Sequence, residues 1–190
     1  MKVGLYFGSF NPIHTGHLII ANYILNDGDL QRIWFVVSPQ NPFKDDDLLL
    51  KANKRLTLVK RAISEDKRLR ASDVEFGLSK PSFTINTLNY LSSEYAKHRF
   101  SIIMGSDSFN TIEKWKDFHM IVSSYKIFIF RRHGFEVENK INADVKVLNA
   151  PVIDISSTEI RQLIRQGKSI RYLVPENVRN EIEKKGYYRK

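Results

Sequence analysis

Two histidines stand three residues apart in the segment YFGSFNPIHTGHLI, close to the start of the chain. Gly8 and Ser9 end an apolar run, and backbone N–H groups left open at a strand-to-helix turn form an anion site. His14 and His17 could each donate a ring N–H to a phosphate oxygen, and Gly16 leaves room for close approach. An ordinary turn with two surface histidines remains an alternative. A zinc site is a second one, although cysteine is absent and no third ligand is evident.

A second polar segment, DISSTEIR, lies near the other end of the chain. Ser156 followed three residues later by Glu159 forms a capping box, which predicts the start of a helix. The open N–H groups of that first turn would attract an anion. The hydroxyls of Ser157 and Thr158, with Arg161 one turn later, would suit a polyphosphate.

Further candidates follow the other apolar runs, and each also has an ordinary structural interpretation. Asp107 could cap a helix or face a ligand. Trp115 could pack in the core or stack on an aromatic ring. Arg131 and Arg132 could bind phosphate or simply end a strand in solvent. Thr84 is typical of a helix N-cap.

These candidates must be positioned by an alternation of strands and helices. Apolar runs rich in Val, Ile and Phe predict buried strands, at Lys2–Gly8, Arg32–Ser38, Phe100–Ser106, Lys126–Arg132 and Val145–Ile155, with Ala71–Phe76 as a weaker candidate. Helical spacing of apolar residues predicts helices at His17–Leu25, Asn53–Ser64, Thr84–Tyr95, Ser108–Val122, Thr158–Arg165 and Glu176–Lys185. This order predicts βαβ units and a parallel sheet, whose ligands bind beyond the carboxyl ends of the strands.

Composition limits the class of protein. The 190 residues suit one domain, and the absence of cysteine excludes disulfides and thiolate–metal sites. No run approaches the roughly 20 apolar residues of a membrane span, and the first residues make a poor signal peptide. We therefore expect a soluble, cytoplasmic protein. The net charge of +9 suits polyanionic partners such as nucleotides, nucleic acid or anionic membrane, or serves solubility alone.

Several motifs together resemble those of a known family. GSFNPIHTGHL near the start and ISSTEIR near the end are similar to motifs of the nucleotidylyltransferase superfamily. The HxGH element alone indicates only that superfamily. With KPSFTINTL and GSDSFNTIEKW added, the chain more narrowly resembles bacterial nicotinate-nucleotide adenylyltransferases over nearly its whole length.

The resemblance implies a Rossmann-like, doubly wound parallel sheet in three α/β/α layers, forming one domain over residues 1–190. It implies transfer of AMP from ATP to nicotinate mononucleotide, with Mg²⁺, giving nicotinate adenine dinucleotide and pyrophosphate in NAD biosynthesis. It implies catalytic roles for His14, His17 and Arg161. It places ATP at Gly8, Ser9, Phe10, Gly105, Asp107, Ser157 and Thr158. It places nicotinate mononucleotide at Asn41, Lys44, Thr84, Trp115, Arg131 and Arg132, and it implies no set of protein metal ligands.

Three questions stay open in the sequence. Asn86 stands where the family usually has Asp, which leaves fine substrate preference undecided. Nicotinamide mononucleotide or phosphopantetheine could replace nicotinate mononucleotide as acceptor. A basic nucleic-acid-binding module is a rival of another class, favoured by the net charge and by a predicted helix face carrying Lys54, Arg55, Lys60 and Arg61. No nucleic-acid motif accompanies that face, and the oligomeric state is not indicated.

Overall fold

A computed structural model describes residues 1–39 and 49–189. Its six strands form one sheet in the order β3-β2-β1-β4-β5-β6, and every neighbouring pair is parallel. The strands are β1 Lys2–Gly8, β2 Arg32–Val37, β3 Leu69–Ser72, β4 Arg99–Gly105, β5 Ile127–Phe130 and β6 Val145–Val147. This is the Rossmann strand order, in which successive strands are added in one direction from β1 to β3 and in the other direction from β4 to β6. The predicted fold is confirmed.

Helices cover both faces of the sheet within the described ranges. They are α1 Thr15–Asn26, α2 Ala52–Ala62, α3 Thr84–Glu94, α4 Ser106–Phe109, α5 Phe118–Ser124, α6 Ser157–Arg165 and α7 Glu176–Lys185. Successive strand residues point to opposite faces, so Tyr6 packs into the core under α1, α2, α6 and α7. Leu5 packs into the second core, under α3, α4 and α5. No described helix is long and apolar enough to cross a membrane.

The edge strand β6 is shorter than the predicted Val145–Ile155. Among the described strands it pairs only with β5, with which it is in register from Ile127 to Ile129. The N–H of Leu148 makes one more bond, to the carbonyl of Ile129 at 2.8 Å. Beyond that point β5 is ending and offers no further partners, so the apolar sequence after Leu148 runs on as irregular chain.

The helix predicted at Ser108–Val122 is wrong, because three short pieces replace it. The chain forms α4, a 3₁₀ turn at Ile112–Lys114, and then α5. Trp115 takes an extended conformation (ψ 144°) and Asp117 a left-handed one (φ 53°), which interrupts the helical hydrogen bonds. The interruption leaves Trp115 half-buried at the wall of the cavity described below.

The predicted four-cation face of α2 is also wrong. Lys54, Lys60 and Arg61 are exposed, but Arg55 is completely buried. Its guanidinium finds backbone carbonyls inside the protein, which removes the need for water. The surface observation that favoured nucleic-acid binding is therefore weaker than the sequence suggests.

Candidate active site

A cavity of about 740 Å³ opens at the carboxyl ends of β1, β4 and β5. The predicted residues that line it are Gly8, Ser9, Phe10, His14, His17, Thr84, Gly105, Asp107, Trp115, Arg132, Ser157, Thr158 and Arg161. Arg131 is exposed and is not among the lining residues. Asn41 and Lys44 lie outside the described residues. The two polar segments that stand far apart in the sequence thus meet at one cavity.

The loop after β1 is shaped by a buried aromatic ring. Phe10 has a positive φ of 46°, which is uncommon for a residue with a side chain, and its ring is buried. That ring packs edge-on to His17 and Phe35, at centroid distances of 5.1 and 5.5 Å. A Cβ at Gly8 would lie 2.9 Å from the Phe10 ring, so glycine is the residue that lets the ring fold back over the strand end.

Hydrogen bonding within the histidine pair determines which ring nitrogen of His17 carries the proton. The backbone N–H of His14 donates to Nδ1 of His17 at 3.2 Å. A nitrogen that accepts a hydrogen bond carries no proton, so neutral His17 carries its proton on Nε2. The two imidazole rings lie against each other, with centroids 3.7 Å apart. Each neutral ring therefore has one N–H with which to donate to a bound anion.

His14 is kept neutral by its surroundings. Burial, reinforced by the positive charge of Arg132, lowers its pKa from the ordinary 6.5 to about 4. Its Nδ1 is buried and has no hydrogen-bond partner among the described residues. At neutral pH this side chain is therefore a hydrogen-bond donor without a full charge.

The start of α6 is joined directly to the loop after β1. Ser156 Oγ accepts the N–H of Glu159 at 3.1 Å, which confirms the predicted cap. Ser157 Oγ donates to the carbonyl of Pro12 at 2.9 Å. Arg161 Nη1 donates to the carbonyl of Asn11 at 2.9 Å, across 150 residues of sequence, and its side chain is buried. Arg161 therefore holds the loop in place as well as lining the cavity.

Asp107 and Arg132 form a charged pair at the cavity wall. Arg132 Nε lies 3.6 Å from Asp107 Oδ1, and the backbone N–H of Arg132 donates to Ser106 Oγ at 2.9 Å. Asp107 is the second residue of α4, so the prediction that it caps a helix is wrong; Gly105 occupies the N-cap. A Cβ at Gly105 would lie 2.3 Å from Asp107 Oδ1, so only glycine leaves space for this carboxylate.

Aromatic and polar residues line the opposite end of the cavity. Phe83, Thr84 and Trp115 line the cavity, and the rings of Phe83 and Trp115 pack against the second core, on the face of the sheet opposite to Phe10. Thr84 is the first residue of α3 and Phe83 its cap, so the cap prediction is wrong by one residue. Lys116 also lines the cavity, with its Nζ 4.9 Å from the centre of the Phe83 ring. This end offers a flat apolar surface beside a positive charge.

A buried carboxyl lies behind that aromatic end. Glu75 is 2% exposed, and its Oε1 accepts a hydrogen bond from Thr87 Oγ1 on α3 at 2.9 Å. Burial raises the pKa of Glu75, against the lowering effect of the hydroxyls of Thr87, Ser38 and Ser82. Glu75 lies in Ala71–Phe76, the weaker strand prediction, but β3 ends at Ser72 and Val74–Gly77 forms a 3₁₀ helix. Neither the burial of Glu75 nor its partner could therefore be inferred from its neighbours.

Comparison with known proteins places the chain in a family. Residues 5–163 match the family described as cytidylyltransferase-like. The chain belongs to the cytidylyltransferase-like family. Within it, the chain is 45% identical to a Cytophaga hutchinsonii protein over 99% of its own length and 98% of that protein. It is 42% identical to a Flavobacterium johnsoniae protein over the whole of both. Both relatives carry the name "Probable nicotinate-nucleotide adenylyltransferase".

A solved structure confirms the family's fold at lower identity. The structure of Plasmodium falciparum nicotinic acid mononucleotide adenylyltransferase complexed with NaAD superposes with a TM-score of 0.83 at 20% identity. The superposition covers 98% of this chain and 97% of that one. The resemblance inferred from the motifs is therefore confirmed.

Sequence reasoning missed three residues of this site: Arg55, Glu75 and Lys116. Arg55 and Glu75 are buried charged residues, and charged residues are usually exposed, so residue type favoured the surface for both. Lys116 follows Trp115 directly, and its proximity to an aromatic residue already proposed for the site was the one available signal.

Proposed function

We propose that the protein transfers the adenylyl group of ATP to nicotinate mononucleotide, giving nicotinate adenine dinucleotide and pyrophosphate in NAD biosynthesis. The observation that carries this proposal is the meeting of the His14–His17 turn and the first turn of α6 at one cavity, with Trp115 and Thr84 at its other end. The relatives at 40–45% identity over nearly the whole chain bear the corresponding enzyme name.

The reaction needs positioning and charge stabilisation more than a protein nucleophile. A phosphate oxygen of the acceptor forms a bond to the α-phosphorus of ATP, and the bond from that phosphorus to the bridging oxygen of the β-phosphate breaks. His17 Nε2–H and the imidazole N–H of His14 donate to oxygens whose negative charge grows in the transition state. Ser157, Thr158 and Arg161 line the side of the cavity where the departing pyrophosphate would be held.

Magnesium fits this cavity as an ion bound chiefly by phosphate oxygens and water, because Mg²⁺ commonly takes only one or two protein carboxylates. In the ranges the structure covers, no group of three or more His, Cys, Asp or Glu residues could hold a metal ion. Asp107 would be the protein ligand: it lines the cavity, and its Oδ1 accepts no hydrogen bond from the described residues, so a bound ion would share this oxygen with Arg132, whose Nε lies 3.6 Å away. The ion would neutralise charge on the phosphates.

The acceptor end of the cavity is proposed to bind nicotinate mononucleotide. Trp115 offers its face to the pyridine ring, Thr84 its first-turn N–H and hydroxyl, and Arg132 its charge to a phosphate. Lys116 adds a positive charge that suits the carboxylate of nicotinate better than the neutral amide of nicotinamide. Arg131, Asn41 and Lys44 remain proposals from the family resemblance alone.

The test is pyrophosphate release with ATP, Mg²⁺ and each of three acceptors: nicotinate mononucleotide, nicotinamide mononucleotide and phosphopantetheine. We expect the first to be preferred. His17→Ala should lower turnover about 10²- to 10³-fold, the usual cost of one transition-state donor, with unchanged circular dichroism. Turnover within about twofold of wild type would contradict the role given to His17. A preference for either of the other two acceptors would change the proposed acceptor substrate but not the proposed reaction, adenylyl transfer from ATP.

A further inference from the structure

Arg55 is a buried cation next to the site, and it donates hydrogen bonds to backbone carbonyls of the site's loops. The side chain is 0% exposed. Its Nε donates to the carbonyl of Leu50 at 2.7 Å, and its Nη2 to the carbonyl of Pro39 at 3.0 Å. Its Nη1 donates to the carbonyl of Ser38 at 2.8 Å and also to that of Ser9. One planar guanidinium thus joins three segments of chain.

Each of those segments has a place at the cavity. Ser9 belongs to the loop after β1 and lines the cavity, as does Ser38 at the carboxyl end of β2. Leu50 precedes α2, and its N–H donates to the side chain of Asn11 at 3.2 Å in the same loop. The guanidinium fork matches several acceptors in one plane, which a lysine ammonium cannot do.

The contact with Ser9 determines which way a peptide group faces. In a trans peptide the carbonyl and the following N–H point in opposite directions. The Ser9 carbonyl points inward to Arg55, so the N–H of Phe10 points away from Arg55, and Phe10 lines the cavity. Arg161 holds the carbonyl of Asn11 on the other side of Phe10. Two buried arginines from different helices therefore grip the loop on either side of a residue with φ 46°.

We propose that Arg55 is a positioning residue of the nucleotide site: by holding the Ser9 carbonyl it presents the Phe10 N–H to a phosphate of ATP. It also fixes this loop relative to the end of β2. This inference rests on the proposed function, because it assumes that a triphosphate binds at the loop. Arg55 touches no substrate in this scheme, and it acts through the orientation of one peptide group.

The first test compares Arg55→Lys with Arg61→Lys, a matched change on the same helix at an exposed position. Lysine keeps the charge but cannot bond four carbonyls, so we expect Arg55→Lys to lower kcat about tenfold or more and to raise KM for ATP. KM for nicotinate mononucleotide should change less than about twofold, and Arg61→Lys should match wild type. An equal rise in KM for ATP and for nicotinate mononucleotide would overturn the proposal, and so would a turnover of Arg55→Lys within about twofold of wild type.

The second test separates positioning from general stability. Ethylguanidinium added to Arg55→Ala should restore part of the lost turnover, whereas ethylammonium of the same charge should not, because only the planar group can reach several carbonyls. Equal restoration by both ions, or by neither, would overturn the proposal.

The third measurement uses the unaltered protein and does not depend on the variants folding. The chain has twelve phenylalanines, so ¹⁵N-phenylalanine labelling gives twelve backbone amide signals. The Phe10 signal, assigned by triple-resonance spectroscopy of the unaltered protein, should shift on addition of a non-hydrolysable ATP analogue. An unmoved Phe10 signal while other signals shift would overturn the proposal. An unaltered protein that releases no pyrophosphate with any acceptor would instead refute the proposed function.

Discussion

Acidification should destabilise this protein through His14 in a way that can be calculated. The folded protein holds the pKa of His14 at about 4, whereas the unfolded chain has the ordinary value of 6.5. At pH values between these two pKa values, His14 is protonated in the unfolded chain but stays neutral in the folded protein. Stability must therefore fall as the pH is lowered through this window, and it is unaffected by His14 above it.

The size of the effect follows from the two pKa values. At about 1.4 kcal/mol per pKa unit, a fall from 6.5 to about 4 corresponds to about 3 kcal/mol of lost unfolding free energy at the acid end of the window. Small domains commonly have a total stability of about 5–15 kcal/mol, so a loss of this size is readily measured. The cause is burial of the imidazole, reinforced by the nearby charge of Arg132.

The assay is urea unfolding at several pH values for wild type and His14→Gln. The difference between the two isolates His14 from other groups. Glu75 has a raised pKa, so it contributes stability at low pH that is lost as the pH rises, and it cancels in the difference. We expect the advantage of wild type over His14→Gln to shrink by about 3 kcal/mol from about pH 7 to about pH 4.

A matched control and a clear contrary result complete this test. Asn89→Gln alters an exposed side chain that does not titrate, and its difference from wild type should stay nearly constant over the same range. If the difference between wild type and His14→Gln is equally constant, then His14 is not desolvated in the folded protein, and the argument for a neutral donor at this position is refuted.

Two further substitutions test the ends of the cavity. Gly105→Ala would place a methyl group 2.3 Å from Asp107 Oδ1, so the carboxylate must move. In a steady-state assay we expect turnover to fall about tenfold and the KM for magnesium to rise. An unchanged KM for magnesium would contradict this prediction. Lys116→Gln should raise the KM for nicotinate mononucleotide about threefold to tenfold and leave the KM for nicotinamide mononucleotide unchanged. Lys114→Gln, at an exposed position, is the control. An equal change in the KM of both acceptors would refute a preference based on charge.

Some elements could be located from the sequence because one local signal decides them. Helix α7 runs from Glu176 to Lys185 as predicted, since Gly186 takes the left-handed conformation (φ 63°) that ends a helix. Ser156 caps α6 because its hydroxyl bonds an amide only three residues away. The continuous apolar runs predicted buried strands, and β1, at Lys2–Gly8, has the predicted bounds. In each case the deciding contact lies within a few residues.

Other elements depend on partners that are distant in the sequence. The apolar spacing of Ser108–Val122 is the same whether the helix is continuous or broken at Trp115 and Asp117. The end of β6 is determined by where β5 stops offering partners. The burial of Arg55 depends on the carbonyl of Ser9, 46 residues away. Local periodicity holds no information on such contacts, which is why these predictions were wrong.

The site's arginines show what residue type alone leaves undecided. Arg161 sits in a motif that predicts phosphate binding, and Arg55 sits on a face that resembles solvent-exposed charge. Yet both are buried, and both donate to loop carbonyls on either side of Phe10. Arg132 is the contrasting case, since its side chain is 44% exposed and pairs with Asp107 at the cavity wall. In the proposed scheme, Arg132 acts on the phosphate directly, and Arg55 acts on the backbone that would bind it. We expect the two positions to differ in whether lysine can substitute: charge should suffice at Arg132, whereas Arg55 should need the planar fork.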